Sequence, residues 1–198
     1  MIYKDMSIVL AVGHHKRIQG AKSKEYGVTE WQVNHSLVKG VAEQLTRDKW
    51  RVFTLYDISM TRKVKAINKI APDIAIDFHL NAANGIVEGH EALYWYQSEY
   101  GKMLAEAMCR NVTINRDRGA KPVEHENGSY FCRTVRAVTV VWESAFIDNP
   151  KDYHIFDLHK GELVEQICAG LRAYCFERFQ LDSRQPLLTG MTQGGDQP

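Results

Sequence analysis

The chain has 198 residues, 44% hydrophobic and 25% charged, which suits one globular domain large enough to bury a real core. A net charge of +1 provides no basic field for nucleic acid or an anionic membrane. The apolar run near the start, SIVLAV, is too short for a signal peptide or a membrane span. The expectation is therefore a monomer without a membrane anchor, kept in the cytoplasm of the producing cell until released. The four cysteines, Cys109, Cys132, Cys168 and Cys175, include no CxxC pair and read as buried reduced thiols.

In chain order, Ser7 to Val12 is an apolar, β-branched run ending at Gly13, the pattern of a buried strand. Residues 15–28 are polar and read as a loop. Thr29 with Gln32 forms a capping box, and Val33, Leu37, Val38, Val41 and Leu45 follow at helical spacing. Arg51 to Tyr56 is a second strand, and Thr61 to Ile70 a short helix stopped before Pro72. Ile74 to Phe78 is the third strand and Glu91 to Tyr96 the fourth. Ser98 to Val112 is helical, with Met103, Leu104, Ala107 and Met108 on one face. Residues 113–128 read as a long polar loop, Ser129 to Arg133 as a weak strand and Ala137 to Trp142 as a strong one. Leu163 to Phe179 is an amphipathic helix. From Asp182 the chain is polar and rich in Gly, Gln and Pro, so 1–181 is taken as the domain and 182–198 as a mobile tail.

Alternating strands and helices predict an α/β fold: a mostly parallel, twisted sheet of about six strands with helices on both faces. Ligands of such sheets gather beyond the carboxyl ends of the strands. There the chain carries His14, His79 and Glu143, with Glu30 in the first turn of the first helix. Each has an ordinary explanation: a hydrogen-bonded histidine, or a carboxylate at the positive end of a helix dipole. Glu143 is the exception, because it follows the apolar run VTVVW, where an unpaired carboxylate is costly. Together, two histidines and a carboxylate make a common catalytic zinc set, and a further carboxylate can shuttle a proton.

Specific motifs carry a family resemblance. Ala11-Val12-Gly13-His14-His15-Lys16 matches the position of an Asp-x-Gly-His-Gly-Gly motif, and Glu30 a glutamate opening the first helix. Arg62, Asn68 and Asp77-Phe78-His79-Leu80-Asn81 match Arg-x-x-x-x-x-Asn followed by Ser-x-His-Ala-Asn. Gly89-His90-Glu91 matches Gly-x-Glu, and Glu143 to Asn149 matches Glu-x-Gly-Phe-x-x-Asn. In this order the chain resembles the zinc-dependent N-acetylmuramoyl-L-alanine amidases of type 3, over nearly its whole length. The departures are Ala11 for the acidic residue, His15-Lys16 for Gly-Gly, Asp77 for serine, Leu80 for alanine and Ala145 for glycine.

The resemblance implies one zinc ion held by His14, Glu30 and His79, with His15 a rival to His14, and Glu143 as the general base. It implies hydrolysis of the amide between N-acetylmuramic acid and L-alanine in peptidoglycan, and the compact architecture resembles a phage endolysin. Asn81, Arg116, Arg118 and His125 are expected to contact substrate, the cations by orienting stem-peptide carboxylates. His90 and His125 are alternatively partners of the ligands. A peptidase or deacetylase would use the same ligand logic, and a non-catalytic wall-binding module is the rival from another class.

Overall fold

The computed structural model describes residues 6–125 and 129–184. Its elements run β1 (Ser7–Val12), α1 (Glu30–Arg47), β2 (Arg51–Leu55), α2 (Met60–Ile70), β3 (Ile74–Asn81), β4 (His90–Trp95), α3 (Glu99–Asn111), β5 (Asp117–Val123), α4 (Ser129–Thr134), β6 (Val138–Phe146), α5 (Pro150–Leu158) and α6 (Lys160–Arg184). The six strands form one sheet in the order β2-β1-β3-β6-β4-β5. All pairings are parallel except β4 with β6. The expected mostly parallel α/β sheet is thus the observed one.

Every residue of β1 is buried, as a strand covered on both faces requires. Ile8, Leu10, Ile76, Phe78 and Trp142 point into one layer with α1, α3 and α6. Val9, Ala75 and Val141 point into the other with Val64 and Ile67 of α2 and Phe131 of α4. The capping box at Thr29 forms: the Thr29 amide donates to Gln32 Oε1 at 2.9 Å, and the Gln32 amide to Thr29 Oγ1.

Several expectations need correction. Residues 117–123 are an edge strand inside what reads as a loop; Gly119 and Pro122 disguise it, and an edge strand tolerates proline because only one side must pair. Residues 129–134 form a helix, not a strand. Phe131, Cys132 and Val135 are all buried, and i, i+1, i+4 shares one face only in a helix; a strand would send Phe131 and Cys132 to opposite sides. α5 was not anticipated, although Asn149-Pro150 is a good start signal: Asn149 Oδ1 accepts from the amides of Lys151 and Asp152. α6 continues through residues 182–184 of the expected tail, and 185–198 lie outside the described residues. No helix among the described residues is long and apolar enough to cross a membrane.

Candidate active site

A cleft of about 550 Å³ opens at the carboxyl ends of β1, β3 and β6, and His14, Glu30, His79, Asn81 and Glu143 line it. β3 and β6 do not stop at their chemical residues but run through them. His79 pairs in register with Glu143, and Glu143 with Glu91 across the antiparallel ladder. One row over three strands therefore presents an imidazole and two carboxyls to the same face. Register shifts between His79 and Asn81, a bulge of the kind common beside active sites.

Glu30 joins the two histidines. Its Oε1 lies 2.8 Å from His79 Nδ1 and its Oε2 3.1 Å from His14 Nε2. The amides of Leu80 and Ala21 donate to the same two oxygens. Although Glu30 opens α1, its carboxylate thus serves this cluster and not its own helix end. Burial alone would raise the Glu30 carboxyl, but hydrogen bonds from His14 and His79 hold it at about 2. His14 has a φ of 62°, a left-handed backbone that non-glycine residues seldom adopt, and such strain collects at functional sites.

Two glycines make room for this arrangement. A Cβ on Gly13 would fall 2.6 Å from His79 Cε1 and from the Phe78 carbonyl. On Gly20, at φ +73°, it would fall 2.4 Å from Glu30 Oε2 and 2.5 Å from His14 Cδ2. Gly20 lies in a loop that sequence alone passes over.

His14, Glu30 and His79 offer ligand atoms within 4.8 Å of one another, a possible metal-binding group. Two imidazole nitrogens and a carboxylate suit a divalent ion such as zinc, whose tetrahedral donors sit about 3.4 Å apart. Beside them Glu143 is half-buried, but its Oε2 is sealed from solvent and has no hydrogen-bond partner among the described residues. Burial is the main reason its carboxyl is pushed up to about 7, the charge on His79 pulling the other way.

The remaining candidates are scattered. Asn81 donates from Nδ2 to Glu91 Oε1 at 3.0 Å and accepts the Ala82 amide. Arg118 donates from Nε to Glu91 Oε2 at 2.6 Å and stacks 5.0 Å over Phe146; it does not line the cleft and reaches it only through Glu91 and the cleft-lining Asn81. Arg116 is exposed and contributes its backbone carbonyl to the His90 amide. His125 is exposed beside Glu124, and neither it nor Arg116 lines the cleft. His15 is not part of the close group of His14, Glu30 and His79, and its Nδ1 accepts the Arg17 amide. His90 is fully buried, with Asn115 Oδ1 at 2.8 Å from one ring nitrogen and the Cys109 carbonyl at 3.2 Å from the other. It forms a second close group with Cys109 and Asp117, but both its nitrogens are engaged and burial pushes the Cys109 thiol up to about 12.

Residues 8–173, the whole sheet and its cleft, match the family described as N-acetylmuramoyl-L-alanine amidase, and the chain belongs to that family. It is an enzyme of peptidoglycan amide hydrolysis. Among solved structures, it is similar to the catalytic domain of the CD27L endolysin targeting Clostridia difficile (26% identity, 85% of this chain and 97% of that one, TM-score 0.76). It also shares its fold with an N-acetylmuramoyl-L-alanine amidase from Clostridium difficile 630 (22%, 92% and 100%, TM-score 0.77). A third likeness is the CwlV catalytic domain from Bacillus (Paenibacillus) polymyxa var. colistinus (19%, 85% and 97%, TM-score 0.76). No curated protein sequence matches it significantly.

Proposed function

We propose that this amidase is zinc-dependent, with one ion held by His14, Glu30 and His79, and that it cleaves the bond between the lactyl group of N-acetylmuramic acid and L-alanine. The observation that carries this is the convergence of three ligand-type side chains beside Glu143, whose Oε2 is sealed from solvent without a hydrogen-bond partner among the described residues. When bound, zinc supplies Lewis acidity to the scissile carbonyl and to water. Glu143 takes a proton from the attacking water and returns it to the departing alanine amine. Burial favours the protonated form of this carboxyl in the metal-free protein, which suits a group that must take up a proton and pass it on. Asn81 lines the cleft and steadies Glu91, while Arg118 places positive charge next to it, suited to a stem-peptide carboxylate.

The likeness to an endolysin catalytic domain supports a role as a phage lysis enzyme, released from the host cytoplasm onto the wall. The test is mass spectrometry of soluble products from purified sacculi, digested with and without a zinc chelator. Stem peptides with a new alanine amino terminus, lost on chelation, are expected. Shortened peptides still attached to muramic acid would instead mean a peptidase, and undiminished release in chelator would remove the zinc.

A further inference from the structure

Behind the ligand cluster lie two buried charges that the proposed chemistry does not use. Lys63 is 1% exposed and Asp77 fully buried. Lys63 sits on the inward face of α2 beside Val64 and Ile67. Asp77 lies two residues before His79 on β3, and so on the same face of the strand. Lys63 Nζ donates to Asp77 Oδ1 at 2.5 Å and to the Val12 carbonyl at 2.9 Å. Such a pair is a poor way to gain stability, since apolar residues of similar volume often serve a core equally well.

The second Asp77 oxygen shows where the pair is aimed. Oδ2 is sealed from solvent and makes no aligned hydrogen bond, and His79 Nε2 lies 3.3 Å from it. On the opposite side of the same ring, Nδ1 faces Glu30 within the ligand cluster. An imidazole that presents one nitrogen to a metal must carry its proton on the other, and a carboxylate there fixes both tautomer and orientation.

We propose that Asp77, held by Lys63, is a positioning residue for His79, accepting Nε2–H so that the Nδ1 lone pair is the one offered to the metal. The proposal rests on the metal centre described above. Lys63 has a second task in it. By bonding the carbonyl of Val12, two residues before His14, it fixes the end of β1 against β3. One ammonium thereby sets the spacing of both histidines. The position that reads as a departure from the family motif, Asp77 for serine, thus becomes a built support that needs Lys63 as its complement.

The test compares wild type with Asp77→Asn and with the double variant Lys63→Met/Asp77→Leu, which removes both charges and leaves an apolar core able to fold. Zinc dissociation constants are measured by chelator competition, and the His79 tautomer in the zinc-loaded protein by long-range ¹⁵N–¹H correlation. Expected are a 10–100-fold loss of zinc affinity in both variants and, in wild type, a His79 protonated on Nε2. Zinc affinity within twofold of wild type in the folded double variant, or a wild-type His79 protonated on Nδ1, would overturn the support role while leaving the metal centre standing. A wild type that binds no zinc would overturn both.

Discussion

Glu91 stands directly opposite Glu143 across the β4–β6 ladder, on the same face of the sheet, and their surroundings push the two carboxyls in opposite directions. Burial raises both. For Glu91, hydrogen bonds and charge from Lys121 and Arg118 outweigh it, and the group stays below the usual carboxylate range. Glu143 has no such cation bonded to it and stays near neutrality. Two neighbouring acids pushed apart in this way can take separate roles, one a fixed anion and the other a proton carrier.

Glu143→Gln keeps the shape and removes the proposed proton carrier. Turnover should fall by about 10²–10⁴-fold, the usual worth of general acid–base catalysis. Zinc content, measured by atomic emission, should be unchanged. Activity within tenfold of wild type would take Glu143 out of the mechanism.

The same variant should reveal the cost of burying Glu143. In the metal-free protein the carboxyl titrates near 7 when folded, against an ordinary 4.5, so the folded chain holds the extra proton between those values. Its contribution to stability is complete below pH 4.5 and is lost as pH rises through 7. Glu143→Gln should therefore match wild type near pH 4 and exceed it above pH 7, by about 3 kcal/mol at roughly 1.4 kcal/mol per pKa unit. Thermal melts in chelator across this range test it; an equal gap at all pH values would contradict it.

Gly20→Ala places a methyl group against Glu30 and His14 in a backbone conformation that disfavours any side chain. Zinc affinity should drop at least about tenfold, the effect of moving a ligand by a fraction of an ångström. Titration calorimetry would show it, and unaltered affinity would mean the loop yields freely.

Arg118 and Arg116 separate a cleft-side cation from a surface one. Arg118→Ala should raise KM for peptidoglycan about tenfold, the loss of roughly 1.4 kcal/mol expected for one charge-assisted contact. Arg116→Ala, exposed and off the cleft, should change neither KM nor stability beyond about 0.5 kcal/mol. Equal effects from the two would argue against a directed contact.

Most of the fold was legible because the strong patterns dominate it. The apolar run of β1 after Ser7, the capped stripe of α1 and the run VTVVW of β6 each leave one workable structure. β5 was hidden because an edge strand needs little apolar content, and α4 because six residues are too few to show a period. The four residues at the centre of the cleft were readable from their places after apolar runs and from motif order. Arg116 and His125 were not distinguishable from Arg118, since charge in a polar segment does not say which way a side chain turns. Asp77 stands out in the sequence only as a departure from the motif serine, and only the folded chain brings Lys63 to it.

The order of strands along the sheet has a bearing on how this enzyme comes into being. β6 is the last strand among the described residues, yet it is inserted between β3 and β4. Until residues 138–146 have been made and threaded into that gap, β4 and β5 have no bond to the rest of the sheet, and His79 has no Glu143 beside it. Assembly must wait on a non-local pairing, Ile74 of β3 with Val138 of β6, which favours slow folding. An incomplete chain ending before β6 would carry His14, Glu30 and His79 without Glu143, so on the proposed mechanism a half-made molecule is a harmless one.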